Sequence, residues 1–556
     1  MCAETVFGQL SRDQKVADLL SIANSYGTSY GPYEWKKQTQ GFDLLQIQPW
    51  IDKVSATTTD TDFAEVLIDY VSSLNDAHDS ISFPFLFQAS LPFSVDIYDG
   101  AVLIESVNRL LLPASQFPFT TGDELVSMDG KPVGDWLQQF RKYSIAANQR
   151  STERVAASRL VSRLQAVMPS MTSLADTAKI EVKRANGNVE SYEIPWTKYG
   201  TPGTTFGRLV SPMGRAAAPA VAAPPSLFAP PVDDTLPLHM QPMAEFLQAR
   251  VDPNRYAILG FGSRTPIYRL PDGFELRLGR QSSDFFLSGT FPAGNLKIGY
   301  IRIPSFGPPS AALAYNQFEQ EMVYFQANTD GLIIDEMRNP GGSISFVEGL
   351  AQRVIPYQFR TLGFEIRATE AWVYSMEYAS VLAHLTGQPD WVTGALDADL
   401  AQVRQANSEY RGRTGPISLN STGTLILLPS PVAYKKPIMV LVDEFSASSA
   451  DMFPAVLQDN KRALIYGYRT MGAGGNVVDY ALGSYSMAQF SLTESLMNRI
   501  TPVSSPGLPD APYVENIGVQ PDMVADYMTR DNLVNGGRTF VQGFVTAMVN
   551  YIQSKP

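Results

Sequence analysis

The sequence predicts an α+β multidomain protein: a helical N-terminal region, a β-rich middle module and a C-terminal α/β core. Three observations carry this. Apolar residues recur at helical spacing over residues 63–74, where Phe63, Val66, Leu67, Tyr70, Val71 and Leu74 form one stripe. From about 83 to 196 short strand-like runs and turns replace that period. From about 296 onward, strands that are apolar throughout alternate with helices, the signature of a parallel or mixed sheet covered on both faces.

Taken in order, residues 1–82 read as the helical region, with Thr61 or Asp62 as the cap of the 63–74 helix. Residues 83–197 form the middle module. There, 122–133 holds two strand-like runs around Asp129-Gly130, a helix carries Trp136, Leu137 and Phe140, and a hairpin turns at Asn186-Gly187-Asn188. Residues 198–290 read as a linker or insert. Ala222-Ala223-Pro224-Pro225 and Ala229-Pro230-Pro231 can hold neither a helix nor a central strand. Residues 291–556 form the core, with strands at 296–303, 331–335 and 437–442 and helices near 314–326, from 346 and at 449–458.

Composition narrows the function. A chain of 556 residues with 44% hydrophobic and 11% aromatic residues has enough apolar mass for several cores. The net charge of -12, without a basic cluster, argues against nucleic acid or an anionic membrane as partner. The single cysteine, Cys2, excludes an intramolecular disulfide and a cysteine zinc site. Three histidines make a His-rich metal site improbable, so neither metal nor cofactor is expected. No apolar run is long enough to span a bilayer. The N-terminus shows no basic and apolar leader, as a trimmed mature chain would also show none. Scarce cysteine and an acidic balance lean towards an exported protein, secreted or periplasmic.

The histidines point to the chemistry. His78 follows the amphipathic helix in Asn75-Asp76-Ala77-His78-Asp79, where the helix dipole would favour a cationic imidazolium. His239 follows the Pro-rich stretch and His384 sits in a helix-like run, both with bland surface or core readings. In Asp443-Glu444-Phe445-Ser446-Ala447-Ser448-Ser449-Ala450-Asp451 a buried strand ends, small residues turn and a helix begins. A serine there is presented beside unpaired N–H groups that suit a developing oxyanion. The plainer alternative is that Ser446, Ser448 and Ser449 cap the helix. Asp335 through Asn339-Pro340-Gly341-Gly342 is a strand running into a Gly-Gly loop that can aim N–H groups into a cleft. Glu515, before the turn at 516–518, could orient an imidazole or be merely solvated. Trp372, Tyr374, Tyr378 and Trp391 form either a small local core or a cleft lining.

These segments, with residues 467–472 and 515–522, resemble the C-terminal processing (tail-specific) peptidases and the tricorn-type core proteases, in that family's order. The resemblance implies a crotonase-like core of ββα repeats for 291–556 and a PDZ-like module over 83–197. One departure selects a subclass. Processing peptidases pair the serine with a lysine in Thr-x-Gly-Lys-Gly, whereas this chain has Thr470-Met471-Gly472-Ala473-Gly474. Alanine accepts no proton, so the resemblance is to the Ser/His/Glu subclass of tricorn cores and the chlamydial protease-like activity factor. It implies Ser448 as nucleophile, His78 as general base, Glu515 as the orienting acid, and an oxyanion hole from Ser449 with Gly341 or Gly342. Asp451 and Met337 also depart, standing where glutamate and arginine are common, at positions expected to lie away from the proton transfer. The implied function is a serine endopeptidase acting on polypeptides, in unstructured or tail segments, with a homodimer as a possible assembly. Its rivals are a catalytically inactive peptide-binding member and a hydrolase of non-peptide esters.

Overall fold

A computed structural model describes residues 8–208 and 258–555. His239, Cys2 and most of the expected Ala/Pro-rich insert lie outside the described residues. The chain divides into two compact units, the first containing residues 8–208 together with 477–494 and the second 258–476 together with 495–555.

In the first unit, helices α1 (Arg12–Ser29), α2 (Tyr33–Gln40), α3 (Gln48–Ser55) and α4 (Asp60–Ser72) pack their apolar faces together. The cap of α4 is Thr59, two or three residues earlier than expected. Its hydroxyl accepts the Asp62 N–H at 3.0 Å, and the Asp62 carboxylate accepts the Thr59 N–H at 3.1 Å. This helical core is completed from far along the chain: Leu482, Phe490 and Leu492 belong to it. The strand Gln489–Thr493 pairs antiparallel with Val477–Ala481 on one side and with Ile81–Ser82 on the other.

The β-rich part of this unit is a sheet ordered β1 (Phe93–Tyr98), β2 (Ala101–Val107), β3 (Glu124–Met128), β4 (Thr177–Lys183), β5 (Val189–Pro195). Asp129 and Gly130 both take positive φ in the tight turn leaving β3, and the β4–β5 hairpin turns at Gly187 as anticipated. Two helices lie between β3 and β4, α5 (Val133–Phe140) and α6 (Gln149–Val161). Strand β1 is the sheet's edge and α6 packs against it. Arg154 of α6 grips Asp96 of β1 through both carboxylate oxygens, at 3.0 Å and 2.6 Å, with both side chains buried.

The second unit is built on a seven-stranded sheet: β6 (Glu275–Leu278), β7 (Leu287–Ala293), β8 (Leu296–Arg302), β9 (Gly331–Asp335), β10 (Ile438–Val442), β11 (Ala463–Gly467) and β12 (Met523–Val524). The first three run antiparallel and the strands from β8 to β12 are parallel. Thus β6 and the start of β7 fall within the stretch expected to be linker. The reason is chemical: 275–293 contains an alternating strand pair, whereas the proline-rich residues end before 240. Every residue of β9 and β10 is buried, as strands covered on both faces require. Helices α7 (Ala311–Asn328), α8 (Ile344–Gln352), α9 (Glu370–Leu385), α10 (Asp390–Ser408), α11 (Ser449–Asp459) and α12 (Arg538–Gln553) belong to the same unit, with smaller two- and three-stranded sheets beside them. Of the aromatic residues at 372–391, only Trp372 joins the core; Tyr374, Tyr378 and Trp391 are exposed.

Candidate active site

Loops leaving the carboxyl ends of β9, β10 and β11 meet around Ser448. That is where parallel sheets ordinarily build their sites, because strand ends and helix N-termini converge there. The turn after β10 discriminates among its three serines. Ser446 is buried and donates to the Glu336 carbonyl at 2.9 Å. Ser449 is buried and donates to the Gly342 carbonyl at 2.6 Å. Ser448 alone of the three is partly exposed. It stands at the N-cap of α11 with φ 56° and ψ -117°, a conformation that costs a non-glycine residue on the order of 1–3 kcal/mol. A serine on such a strained strand–turn–helix presents its hydroxyl outward. Ser448 thus occupies the N-cap position through its backbone, whose N–H donates to the Asp451 carboxylate at 2.9 Å and whose carbonyl accepts the Asp451 N–H at 2.8 Å.

The Gly-Gly loop lies directly against this turn. A Cβ at Gly341 would sit 2.7 Å from the Ser448 Cβ and 2.9 Å from the Ser449 nitrogen, so the approach requires glycine. Asn339 fastens the two loops: its carbonyl accepts the Ala447 N–H at 2.9 Å, and its side-chain oxygen accepts the Gly341 N–H at 2.9 Å. The Gly341 N–H is thereby engaged. Among the described residues, the N–H groups of Gly342 and Ser449 have no such partner, which makes them the donors open to a developing oxyanion.

Met337, where an arginine was looked for, is buried, and the cation arrives from the neighbouring strand instead. Arg302 of β8 donates to Asp335 at 2.8 Å and to the Met337 carbonyl at 2.9 Å. Tyr300 and Tyr268 add hydroxyl donors to the same Asp335 oxygen at 2.6 Å and 2.8 Å.

Asp451 is the residue that sequence reasoning undervalued. It was expected to stand apart from the chemistry, yet its carboxylate accepts the Ser448 N–H at 2.9 Å. The same carboxylate accepts the Thr470 hydroxyl, the Gly472 N–H at 2.9 Å and the Ala473 N–H at 3.0 Å. A signal was available, because Ser448 and Asp451 have the Ser-x-x-acid spacing of a capping box. Beyond Ala473, the Gly474 N–H donates to the Glu515 carboxylate at 2.8 Å. Glu515 is fully buried, not the solvated side chain of the plainer reading. A run of five residues, 470–474, thus ties the serine's helix to the Glu515 segment.

His78 lies in the first unit, on the turn that follows α4. The Asp76 carboxylate accepts its N–H at 3.0 Å, and its carbonyl accepts the Ser491 hydroxyl. Thr493 donates its N–H to Asp79 at 2.9 Å and its hydroxyl to Asp79 at 3.1 Å. The imidazole is buried and its Nδ1 has no hydrogen-bond partner among the described residues. Burial holds its pKa below the ordinary value; the Asp76 charge opposes that shift and Lys36 adds to it. The expectation of a cationic imidazolium is not met: α4 ends at Ser72, six residues earlier, and burial is the largest influence on the ring and lowers its pKa. A neutral ring is the form a general base needs. His384 has a different setting, exposed and paired with Asp397 at 3.1 Å.

No group of three or more His, Cys, Asp or Glu side chains among the described residues is placed to hold a metal ion. No described helix is long and apolar enough to cross a membrane.

Comparison with known proteins places the chain among related sequences and folds. Residues 297–525 match the model of peptidase family S41, and residues 87–202 match that of a PDZ domain. A protein of Chlamydia trachomatis serovar D is 28% identical over 92% of this chain and 89% of its own length. A Chlamydia pneumoniae protein is 25% identical over 97% and 90%. The solved structure of mature CPAF superposes with a TM-score of 0.75 at 23% identity, covering 98% of both chains. Mature CPAF complexed with lactacystin gives a TM-score of 0.75 at 22% identity, over 98% of this chain and 99% of that one. The fold is therefore that of CPAF.

Proposed function

We propose that this chain, which carries a peptidase family S41 domain preceded by a PDZ domain, is a serine endopeptidase of the Ser/His/Glu type. The observation that carries the reading is Ser448: a partly exposed serine, in a left-handed turn at a helix N-terminus, beside two open N–H donors. In this reading His78, neutral through burial, takes the Ser448 proton as the hydroxyl attacks the scissile carbonyl. The N–H groups of Ser449 and Gly342 receive the oxyanion, and Glu515 orients the ring and stabilises the imidazolium. His78 then returns the proton to the leaving amine, and water completes the cycle through the same groups. The alanine at 473 supports a histidine base, since its methyl side chain can accept no proton.

The substrates are polypeptides, in unstructured or tail segments, and the reading includes an exported protein acting as a homodimer. Support for export is the single cysteine in 556 residues. Fractionation of the source cells and light scattering of the purified chain check these two points.

The deciding experiment is labelling with a fluorophosphonate, combined with digestion of an unstructured protein. Wild type should be labelled on Ser448 and should cleave, while Ser448→Ala and His78→Ala should do neither and keep the wild-type fold. A wild-type chain that is neither labelled nor active while still binding peptide would establish the inactive-member reading instead. Lactacystin, with which mature CPAF forms a complex of solved structure, serves as a second probe of the same hydroxyl.

A further inference from the structure

We propose that Asp451 is a positioning residue, which holds Ser448 in its attacking conformation and sets the 470–474 segment against it. This inference rests on the protease reading above and deepens it. Four donors converge on one carboxylate: the N–H of Ser448, the hydroxyl of Thr470 and the N–H groups of Gly472 and Ala473. An ionised carboxylate offers about four lone-pair sites and no donor, so it matches that set in full. The group is buried, which fixes its direction and strengthens each bond.

The arrangement explains how Ser448 keeps a φ of 56°. Its N–H is turned back onto the first turn of its own helix, and the anchor for that turn is braced from outside α11 by residues 470–473. Thr470 is itself fastened, with its hydroxyl accepting the Val519 N–H at 2.7 Å and its N–H donating to the Val519 carbonyl at 3.1 Å. Through Gly474 the same segment reaches the Glu515 carboxylate. One side chain therefore couples the nucleophile's backbone to the segment that carries the proposed acid. Burial raises Asp451 to about 6, with the Thr470, Gly472 and Ala473 donors and the Arg469 charge pulling it down, so it is ionised at neutral pH. Neighbouring Glu336 is driven well above the carboxylate range by burial and by Asp451, Asp335 and Asp443, which leaves it neutral and no rival for these donors.

The test compares wild type with Asp451→Asn, Thr470→Val and Thr470→Ser. Asparagine keeps the shape but has one acceptor oxygen and would face N–H donors with its own NH2. Expected is a loss of about 100-fold in both kcat and the rate of fluorophosphonate labelling, with KM within about threefold of wild type. The crystal structure of Asp451→Asn should show Ser448 leaving its positive φ. Thr470→Val should lose about tenfold and Thr470→Ser should recover most of it. A folded Asp451→Asn that labels at the wild-type rate, or keeps Ser448 near φ 56°, overturns the proposal. Should Asp451→Asn fail to fold, the threonine pair decides: Thr470→Val matching wild type overturns it. Failure of wild type itself to label or cleave defeats the protease reading and is separate from all of these outcomes.

Discussion

The turns that carry His78 and Ser448 are prepared by opposite means. Both follow a regular element, and in both an aspartate accepts the backbone N–H of the key residue, Asp76 at 3.0 Å and Asp451 at 2.9 Å. The His78 ring is buried, and desolvation fixes its charge state. Ser448 remains partly exposed, and backbone strain fixes its direction. A base is tuned by excluding water, because its protonation equilibrium is what matters. A hydroxyl with no useful titration near neutrality is tuned by where it points.

The largest effects should come from removing either group. Ser448→Ala and His78→Ala should each lower turnover by about 10⁴-fold or more, with melting temperatures within a few degrees of wild type. Retained turnover in only one of them would break the pairing of the two turns.

Next, Gly341→Ala drives a methyl group into Ser448 and places alanine at φ +103°. It should cost about 2–3 kcal/mol in denaturant unfolding and reduce turnover at least tenfold. An unchanged rate would show that the Gly-Gly loop does not shape the serine turn.

Acid should act on the two turns with opposite sign. The folded-state pKa of His78 is depressed, so its contribution to stability is present above about pH 6.5 and is lost as pH falls through the lower folded value. Asp451 is raised from 3.8 to about 6, so its contribution is present below about pH 4 and is lost as pH rises towards 6. Turnover should fall as pH drops through about 6, where the serine's anchor becomes neutral, and fall further at lower pH as the base, whose pKa is depressed, becomes charged. Unfolding curves from pH 4 to 7 should lose the Asp451 slope in Asp451→Asn and keep the histidine slope. Identical slopes in both proteins would refute the assignment.

A smaller change is expected at Thr493, whose hydroxyl serves Asp79 and, at 3.3 Å, Asp76. Thr493→Val should cost about 1–2 kcal/mol and shift the acid limb of turnover, without the large loss seen at Ser448. Smallest of all is Trp391→Ala, which should stay within about 0.5 kcal/mol by thermal melting because the indole is exposed.

Local signals were the legible ones. Strand β9 falls where its apolar run and flanking turn residues put it, and α11 begins one residue after the serine that caps it. The Gly-Gly loop and the serine turn were visible for the same reason: their chemistry is written in consecutive residues. Relations between distant residues were not visible. The neutrality of His78 depends on burial, against which helix-end reasoning pointed the wrong way. The role of Asp451 depends on Thr470, Gly472 and Ala473 folding back onto it from 19 to 22 residues away. The arginine serving Asp335 comes from the adjacent strand, a pairing that only sheet register creates.

The hairpin at 477–494 has a consequence for synthesis on the ribosome. Its residues Phe490 and Leu492 belong to the same apolar core as Tyr26 and Phe63, and its Ser491 and Thr493 clasp the His78 turn. Translation runs from the N-terminus, so the helices that open the chain emerge long before the segment that finishes their core. The first unit must wait, incomplete, until nearly nine-tenths of the polypeptide has been made. The turn holding the proposed base is therefore completed only after strand β10, which leads into the serine turn, has been made, and a chain terminated before residue 477 carries the histidine without the clasp that sets it.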